Sequence, residues 1–207
     1  MAALIAVVGN SGAGKTSLVR TLAARGGYVP VLEEHAERPF QQAFAHHLRR
    51  YALTNQVDYL LFRAEQELAL RRQPAVGIVD GGLDLDFYGF TQLFRDKGYL
   101  DDAEYALCAR HYRLLRALMP GPDLYICLHA PLEVVARRFA QRNRTLEITA
   151  RQDLAMLDAL IETWMAAIPA ARRLVVDASH DDFLAPPAVA ALQNAIEVRL
   201  LRPGGES

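Results

Sequence analysis

Residues 4–16 read Leu-Ile-Ala-Val-Val-Gly-Asn-Ser-Gly-Ala-Gly-Lys-Thr. Gly9 to Thr16 fit the phosphate-binding pattern G-x-x-x-x-G-K-[ST], and Leu4 to Val8 before them form a short β-rich apolar run. Glycines in such a loop let backbone N–H groups curl around phosphate oxygens. Lys15 adds a point charge at the β- and γ-phosphates, and the Thr16 hydroxyl stands where Mg²⁺ is ligated. Beyond the loop, Leu18, Val19 and Leu22 recur at helical spacing, which completes a strand–loop–helix unit. All eight positions (Gly9, Asn10, Ser11, Gly12, Ala13, Gly14, Lys15 and Thr16) are therefore assigned to binding ATP or GTP.

Working outward, short apolar runs alternate with long helical patterns. Strands are expected at Leu4–Val8, Tyr28–Leu32, Val76–Val79, Leu124–Leu128 and Leu174–Val176. Helices are expected near 14–25, 39–50, 54–72, 86–97, 101–118, 131–142, 149–168 and 184–201. That rhythm predicts an α/β fold of the three-layer P-loop NTPase type, a five-stranded parallel sheet flanked by helices with a short basic lid near 138–148. With no internal repeat or low-complexity linker, residues 1–201 read as one kinase-like domain and 202–207 as a frayed tail.

Composition narrows the class. A formal charge of −1 over 207 residues argues against a broad nucleic-acid surface, so no nucleic-acid partner is expected. Cys108 and Cys127 are the only cysteines and form no C-x-x-C or Cys/His cluster, which disfavours a disulfide framework and a structural zinc site. The apolar start lacks a basic segment and runs straight into the phosphate loop, so it reads as a strand. No stretch has the length of a membrane span. A cytoplasmic location is expected.

Ligands of open parallel sheets collect beyond the carboxyl ends of the strands. Asp80, closing the third strand, is the natural Mg²⁺ partner alongside Thr16. Gly81 stands where water-splitting ATPases commonly carry a glutamate, and no N-K-x-D guanine-reading motif occurs, so a kinase is favoured over a switch. A kinase needs a base for the acceptor hydroxyl and positive charge for the migrating phosphoryl group. Glu33, after the second strand, supplies the first. The run Arg137-Arg138-Phe-Ala-Gln-Arg142-Asn-Arg144 supplies the second, with Arg138 and Arg142 on one helical face. Without further information that run reads equally as a solvated basic face.

Taken together these residues resemble the deoxynucleoside kinase family. The resemblance is carried, in order, by Gly9 to Thr16; Glu33-Glu34 followed by Arg38-Pro39-Phe40; Arg50 through Gln56 leading to Leu60-Leu-Phe-Arg63; Asp80 with Asp86; Lys97 through Tyr105; Leu128-His-Ala-Pro-Leu-Glu133; and Arg142-Asn-Arg144-Thr-Leu-Glu147. It implies an ATP- and Mg²⁺-dependent transfer of phosphate to the 5′-hydroxyl of a deoxynucleoside. Glu33 is then the base, and Lys15, Arg138, Arg142 and Arg144 attend the phosphates. It further implies that Gln56, Arg63 and Asp86 read the nucleobase, that Phe90 stacks on it, and that Glu147 lies near the sugar 3′-hydroxyl. By the residues alone, Gln56 and Arg63 would be solvent-facing and Phe90 core.

One triplet departs from the resemblance. The family usually carries an acidic residue, Arg and Ser after the third strand, and here the triplet is Asp80-Gly81-Gly82. Arg38 and Arg95 are candidates to replace the lost cation, and if the family geometry holds, activity is expected to survive or rise in Gly81→Arg. The departure keeps two alternatives open: a P-loop kinase for another small acceptor, and a nucleotide-binding regulatory protein with little transfer activity. His46-His47, Asp84 with Asp86, and Asp101-Asp102 read respectively as surface, helix-start and capping residues. Trp164 reads as core or a dimer contact. The resemblance also implies a homodimer built on the helices near 54–72 and 101–118.

Overall fold

The computed structural model describes residues 1–32, 38–141 and 151–201. Five parallel strands form one sheet: β1 (Leu4–Gly9), β2 (Tyr28–Val31), β3 (Val76–Asp80), β4 (Leu124–His129) and β5 (Arg173–Asp177), in the order β2-β3-β1-β4-β5. All five predicted strands are present, and the parallel α/β architecture follows as expected. Each crossover between parallel strands requires a covering helix. Every residue of β1 is buried because it pairs with β3 on one side and β4 on the other.

Alternation along β1 divides the core between the two faces. Ile5 and Val7 join Leu18, Val19 and Leu22 of α1 (Lys15–Ala24), Val135 of α7 (Leu132–Gln141), and Val189 and Ile196 of α9 (Pro186–Leu201). Leu4, Ala6 and Val8 instead meet Leu70 of α3 (Leu48–Arg71) and Leu157, Ile161 and Trp164 of α8 (Leu154–Ala167). Trp164 is thus core, stacked on Tyr88 at 5.3 Å. A third cluster joins α3 to α6 (Asp102–Leu118) through Leu60, Ala64, Phe87, Cys108 and Tyr112.

Two helix boundaries differ from expectation. The segment predicted as 39–50 and 54–72 divides instead at His47 (φ −140°, ψ 71°), between α2 (Gln41–His46) and the 24-residue α3. Neither glycine nor proline marks that break. It arises because Phe44 and Ala52, on opposite sides of it, must both reach the same core. The helix expected from 86 starts at Leu83 and runs as α4 (Leu83–Leu85), a π-helical stretch (Asp86–Thr91) and α5 (Gln92–Asp96). At the start of α6 the expected capping chemistry is realised as a reciprocal box. The Asp101 side chain accepts from the Glu104 amide at 2.8 Å, and Glu104 accepts from the Asp101 amide at 2.9 Å. Among the described residues no helix is long and apolar enough to cross a membrane.

Candidate active site

β1 lies between β3 and β4, so the loop after it emerges where crossovers leave the sheet in both directions. That is where an open parallel sheet binds its ligand. The glycines of this loop are dictated by close approach. A Cβ on Gly9 would stand 2.7 Å from the Leu128 carbonyl oxygen, and one on Gly12 2.8 Å from that of Val135, both at positive φ. Lys15, itself buried, donates to the carbonyls of Gly9 and Asn10 at 3.0 Å each. These two bonds hold the Lys15 side chain against the loop.

Thr16 and Asp80 are 64 residues apart in sequence, and the β1–β3 pairing places them together, Thr16 Oγ1 donating to Asp80 Oδ2 at 2.5 Å. Asp80 is 1% exposed, and its other oxygen, Oδ1, is buried and has no hydrogen-bond partner among the described residues. A buried carboxylate oxygen left unpaired is costly unless a ligand uses it. A hydroxyl and a carboxylate with a spare lone pair are oxygen ligands of the kind a hard cation takes beside phosphates. The residues therefore fit Mg²⁺.

Immediately beyond Asp80, both Gly81 (φ +88°) and Gly82 (φ +94°) adopt the left-handed backbone that side chains resist. This corrects the expectation for Gly81→Arg. A Cβ at 81 is strained and stands 3.8 Å from Arg63 Nη2, so a second guanidinium there meets like charge. We expect Gly81→Arg to lower the melting temperature and to raise activity for no deoxynucleoside, checked by thermal denaturation and phosphotransfer assay. Arg38 pairs bidentately with Asp58 at 2.6 Å and lies over the Phe62 ring, while Arg95 pairs with exposed Asp102 and lies over Tyr105. The guanidinium bordering Gly81 is that of Arg63.

Gln56, Arg63 and Asp86 form one cluster. Arg63 Nε donates to Asp86 Oδ2 at 2.6 Å, with side chains 3% and 8% exposed. Arg63 Nη1 also donates to the Asp80 carbonyl at 3.4 Å, and Gln56 Nε2 donates to the Asp86 carbonyl at 3.1 Å. The same carbonyl accepts the Thr91 hydroxyl at 2.9 Å, anchoring the π-helical turn. Gln56 and Arg63 are thus buried, not solvent-facing. Phe90, half-buried on that turn, touches both the α3–α6 cluster and the core beneath α8.

Arg138 lies on α7, and its guanidinium is held by the Ala178 carbonyl at 2.6 Å and the Asp181 carboxylate at 2.8 Å. Glu33, Arg142, Arg144 and Glu147 lie outside the described residues. His46 and His47 are exposed, and no cluster of three or more metal-ligating side chains occurs among the described residues. Burial pushes both thiols up, to about 11, so neither cysteine is a thiolate nucleophile at neutral pH. Asp84 and Asp86 lie at the start of the helix as expected and face different partners, Arg116 with the Tyr112 and Tyr125 hydroxyls for Asp84 and Arg63 for Asp86.

Sequence reading missed two features. Asn10 ties the phosphate loop to α8, its Nδ2 donating to the Leu154 carbonyl at 2.8 Å and to Asp158 at 3.1 Å, while its Oδ1 receives the Ser11 amide at 2.8 Å. A buried ionic network, Glu67–Arg116–Asp84, lies behind the Asp80-Gly81-Gly82 turn. One signal was available for it: Gln56, Arg63 and Glu67 share the buried stripe of α3 with Leu60 and Leu70. Polar residues in phase with an apolar stripe are polar residues inside.

The family model described as deoxynucleoside kinase matches residues 5–191. The chain is 27% identical over 170 residues to the deoxyadenosine/deoxycytidine kinase of Bacillus subtilis (strain 168), covering 81% of this chain and 78% of that protein. It is 29% identical over 143 residues to the deoxyadenosine kinase of Dictyostelium discoideum, covering 69% of this chain and 58% of that one. In fold it is similar to the deoxyadenosine kinase from M. mycoides solved with the products dCMP and a flexible dCDP. The TM-score is 0.80 at 21% identity, over 94% of this chain and 99% of that one.

Proposed function

The chain belongs to the deoxynucleoside kinase family and phosphorylates deoxynucleosides, and we propose that it does so by moving the γ-phosphate of ATP to the 5′-hydroxyl, with Mg²⁺. One observation carries this reading. Arg63 holds both the Asp80 carbonyl and the Asp86 carboxylate, so a single side chain ties the phosphate end of the site to its base end. A bound nucleoside spanning the two ends places its 5′-hydroxyl toward Thr16 and Asp80 and its base toward Gln56.

The residues then take these roles. Backbone amides of Gly9–Thr16 and the Lys15 ammonium bind the β- and γ-phosphates, and the Thr16 hydroxyl with Asp80 holds the cation. Mg²⁺ there offsets negative charge on the phosphates. Glu33 accepts the hydroxyl proton; β2 ends at Val31, in register with Val79, so the chain leaves the sheet beside Asp80. Gln56 and the Arg63–Asp86 pair recognise the base, and Phe90 flanks it. Arg142, Arg144 and Glu147 serve as a lid over phosphates and sugar, with Arg138 anchoring its near end through Ala178 and Asp181. The B. subtilis and D. discoideum relatives are named for deoxyadenosine and deoxycytidine, which makes those two the first acceptors to try.

The test is a phosphotransfer assay with ATP, Mg²⁺ and each of the four deoxynucleosides. Formation of a 5′-monophosphate with at least one is the expected result. ATP binding without transfer to any of them would mean that the site serves another acceptor.

We further propose a cytoplasmic homodimer. Leu61 and Leu68 on α3, and Leu107, Leu114 and Leu118 on α6, are all exposed; their spacings of seven and four place each set along one helical face. Adjacent leucine stripes on two packed helices are a surface a second copy covers. Leu114→Glu with Leu118→Glu is expected to convert the dimer to monomer in sedimentation velocity. An unchanged sedimentation coefficient would place the interface elsewhere.

A further inference from the structure

The Asp80-Gly81-Gly82 turn has no side chain of its own between the candidate cation ligand and Leu83, so its direction is set from outside. Gly82 is the N-cap of the helix that begins at Leu83 and has no side chain with which to cap it. Glu67, reaching across from α3, accepts the Leu83 amide at 2.9 Å. A Cβ on Gly82 would stand 3.2 Å from that same Glu67 Oε1, so the glycine makes room for the carboxylate. Glu67 is wholly buried and is gripped by Arg116 of α6, whose two terminal nitrogens reach its two oxygens at 2.7 and 3.1 Å. Arg116 Nε goes on to Asp84 at 2.7 Å, and the hydroxyls of Tyr112 and Tyr125 complete that carboxylate at 2.7 and 2.5 Å. Each buried charge in the network is paired and hydrogen-bonded.

We propose that Glu67 and Arg116 are positioning residues for phosphoryl transfer. Through the Leu83 amide they fix the path by which the chain leaves β3, and with it the Asp80 carboxylate against Thr16. The base end has shorter anchors of its own, Arg63 on the Asp86 carboxylate at 2.6 Å and Gln56 on its carbonyl at 3.1 Å, and is joined to the Asp80 carbonyl only by the longer 3.4 Å bond from Arg63. Loosening the network therefore displaces the phosphate end more than the base end. The inference rests on the deoxynucleoside kinase reading of the site.

The experiment compares the full chain with Glu67→Gln, which keeps an oxygen for Leu83 but removes the charge Arg116 grips, and with Arg116→Lys, which keeps the charge but loses the fork. Steady-state kinetics with the best deoxynucleoside are run well below each variant's melting temperature, and exchange of the Leu83 amide with solvent deuterium is followed in parallel. Misplacement of a reacting group by about 1 Å costs up to ~10²-fold. The expected result is kcat lowered by about ten- to a hundredfold, nucleoside KM changed by less than about threefold, and faster exchange at Leu83. A variant that melts earlier but keeps wild-type kcat and KM would reduce the network to a structural role and overturn the proposal. A raised KM at unchanged kcat would do the same, because the base end would then have moved. Should Glu67→Gln fail to fold, Arg116→Lys is read by the same criteria. If the wild-type chain transferred phosphate to none of the four deoxynucleosides, the acceptor reading would fall; unchanged Leu83 exchange in the variants would overturn the positioning role independently.

Discussion

Glu33→Gln is expected to lower the rate of deoxynucleoside phosphorylation by about 10²–10⁴-fold while leaving ATP binding unchanged. The carboxamide matches the carboxylate in shape but accepts no proton at neutral pH, so the 5′-hydroxyl must attack without a base. The donor side is built separately. Lys15 is fixed by the Gly9 and Asn10 carbonyls, and Asn10 by α8, and none of these contacts involves the segment after β2. Rapid-quench measurement of a single turnover separates the chemical step from product release, and titration with ATP alone checks the donor site. Glu34→Gln is the matched control. A single-turnover rate within tenfold of wild type for Glu33→Gln, with a larger loss for Glu34→Gln, would transfer the role of base to the neighbouring glutamate.

Arg63→Leu is expected to destabilise the fold by about 3–5 kcal/mol and to abolish activity. The guanidinium and the Asp86 carboxylate meet at 2.6 Å with almost no solvent contact, so removing one partner leaves a buried charge without its mate. For a chain of 207 residues this corresponds to a fall in melting temperature of roughly 6–20 °C. The double variant Arg63→Leu/Asp86→Ala removes both charges and is expected to regain much of the lost stability, because it removes a pair whose desolvation cost was large without overfilling the site. Activity is expected to stay absent in the double variant, since the groups assigned to the base are gone. Calorimetry and the phosphotransfer assay on the three variants test both halves. Recovered activity in the double variant would remove the pair from base recognition and leave it as a fold-stabilising contact.

Much of the phosphate end was legible in the chain because it is local. Gly9 to Thr16 are consecutive, their pattern follows from backbone amides crowding an anion, and the helix after them shows its buried face as Leu18, Val19 and Leu22. Asp80 was legible for a related reason, as the polar residue that ends a run of strand apolars. Gln56, Arg63 and Asp86 were reached only through family resemblance; composition and spacing alone would have put Gln56 and Arg63 in solvent. Their burial depends on α6 and the π-helical turn closing over α3, a contact between segments some 30 residues apart. The strain that Gly81→Arg meets comes from backbone conformation, φ +88° at that position, which one-letter spacing does not carry.

By itself the sequence determined the five parallel strands and the Gly9–Thr16 phosphate-loop pattern, and a resemblance carried by motifs in order pointed to the family to which the chain belongs. The strands and the loop pattern are written in contiguous residues or in a repeating period, and local sterics and hydrophobic alternation are enough to read them. Only the tertiary structure decided which polar residues face inward. Asn10 clamps α8, Glu67 caps a helix that is not its own, and Arg63 spans both ends of the site. A polar side chain far from its partner in sequence enters the interior when the fold brings a matching donor or acceptor to it, because burial without one would cost more than the fold can spare.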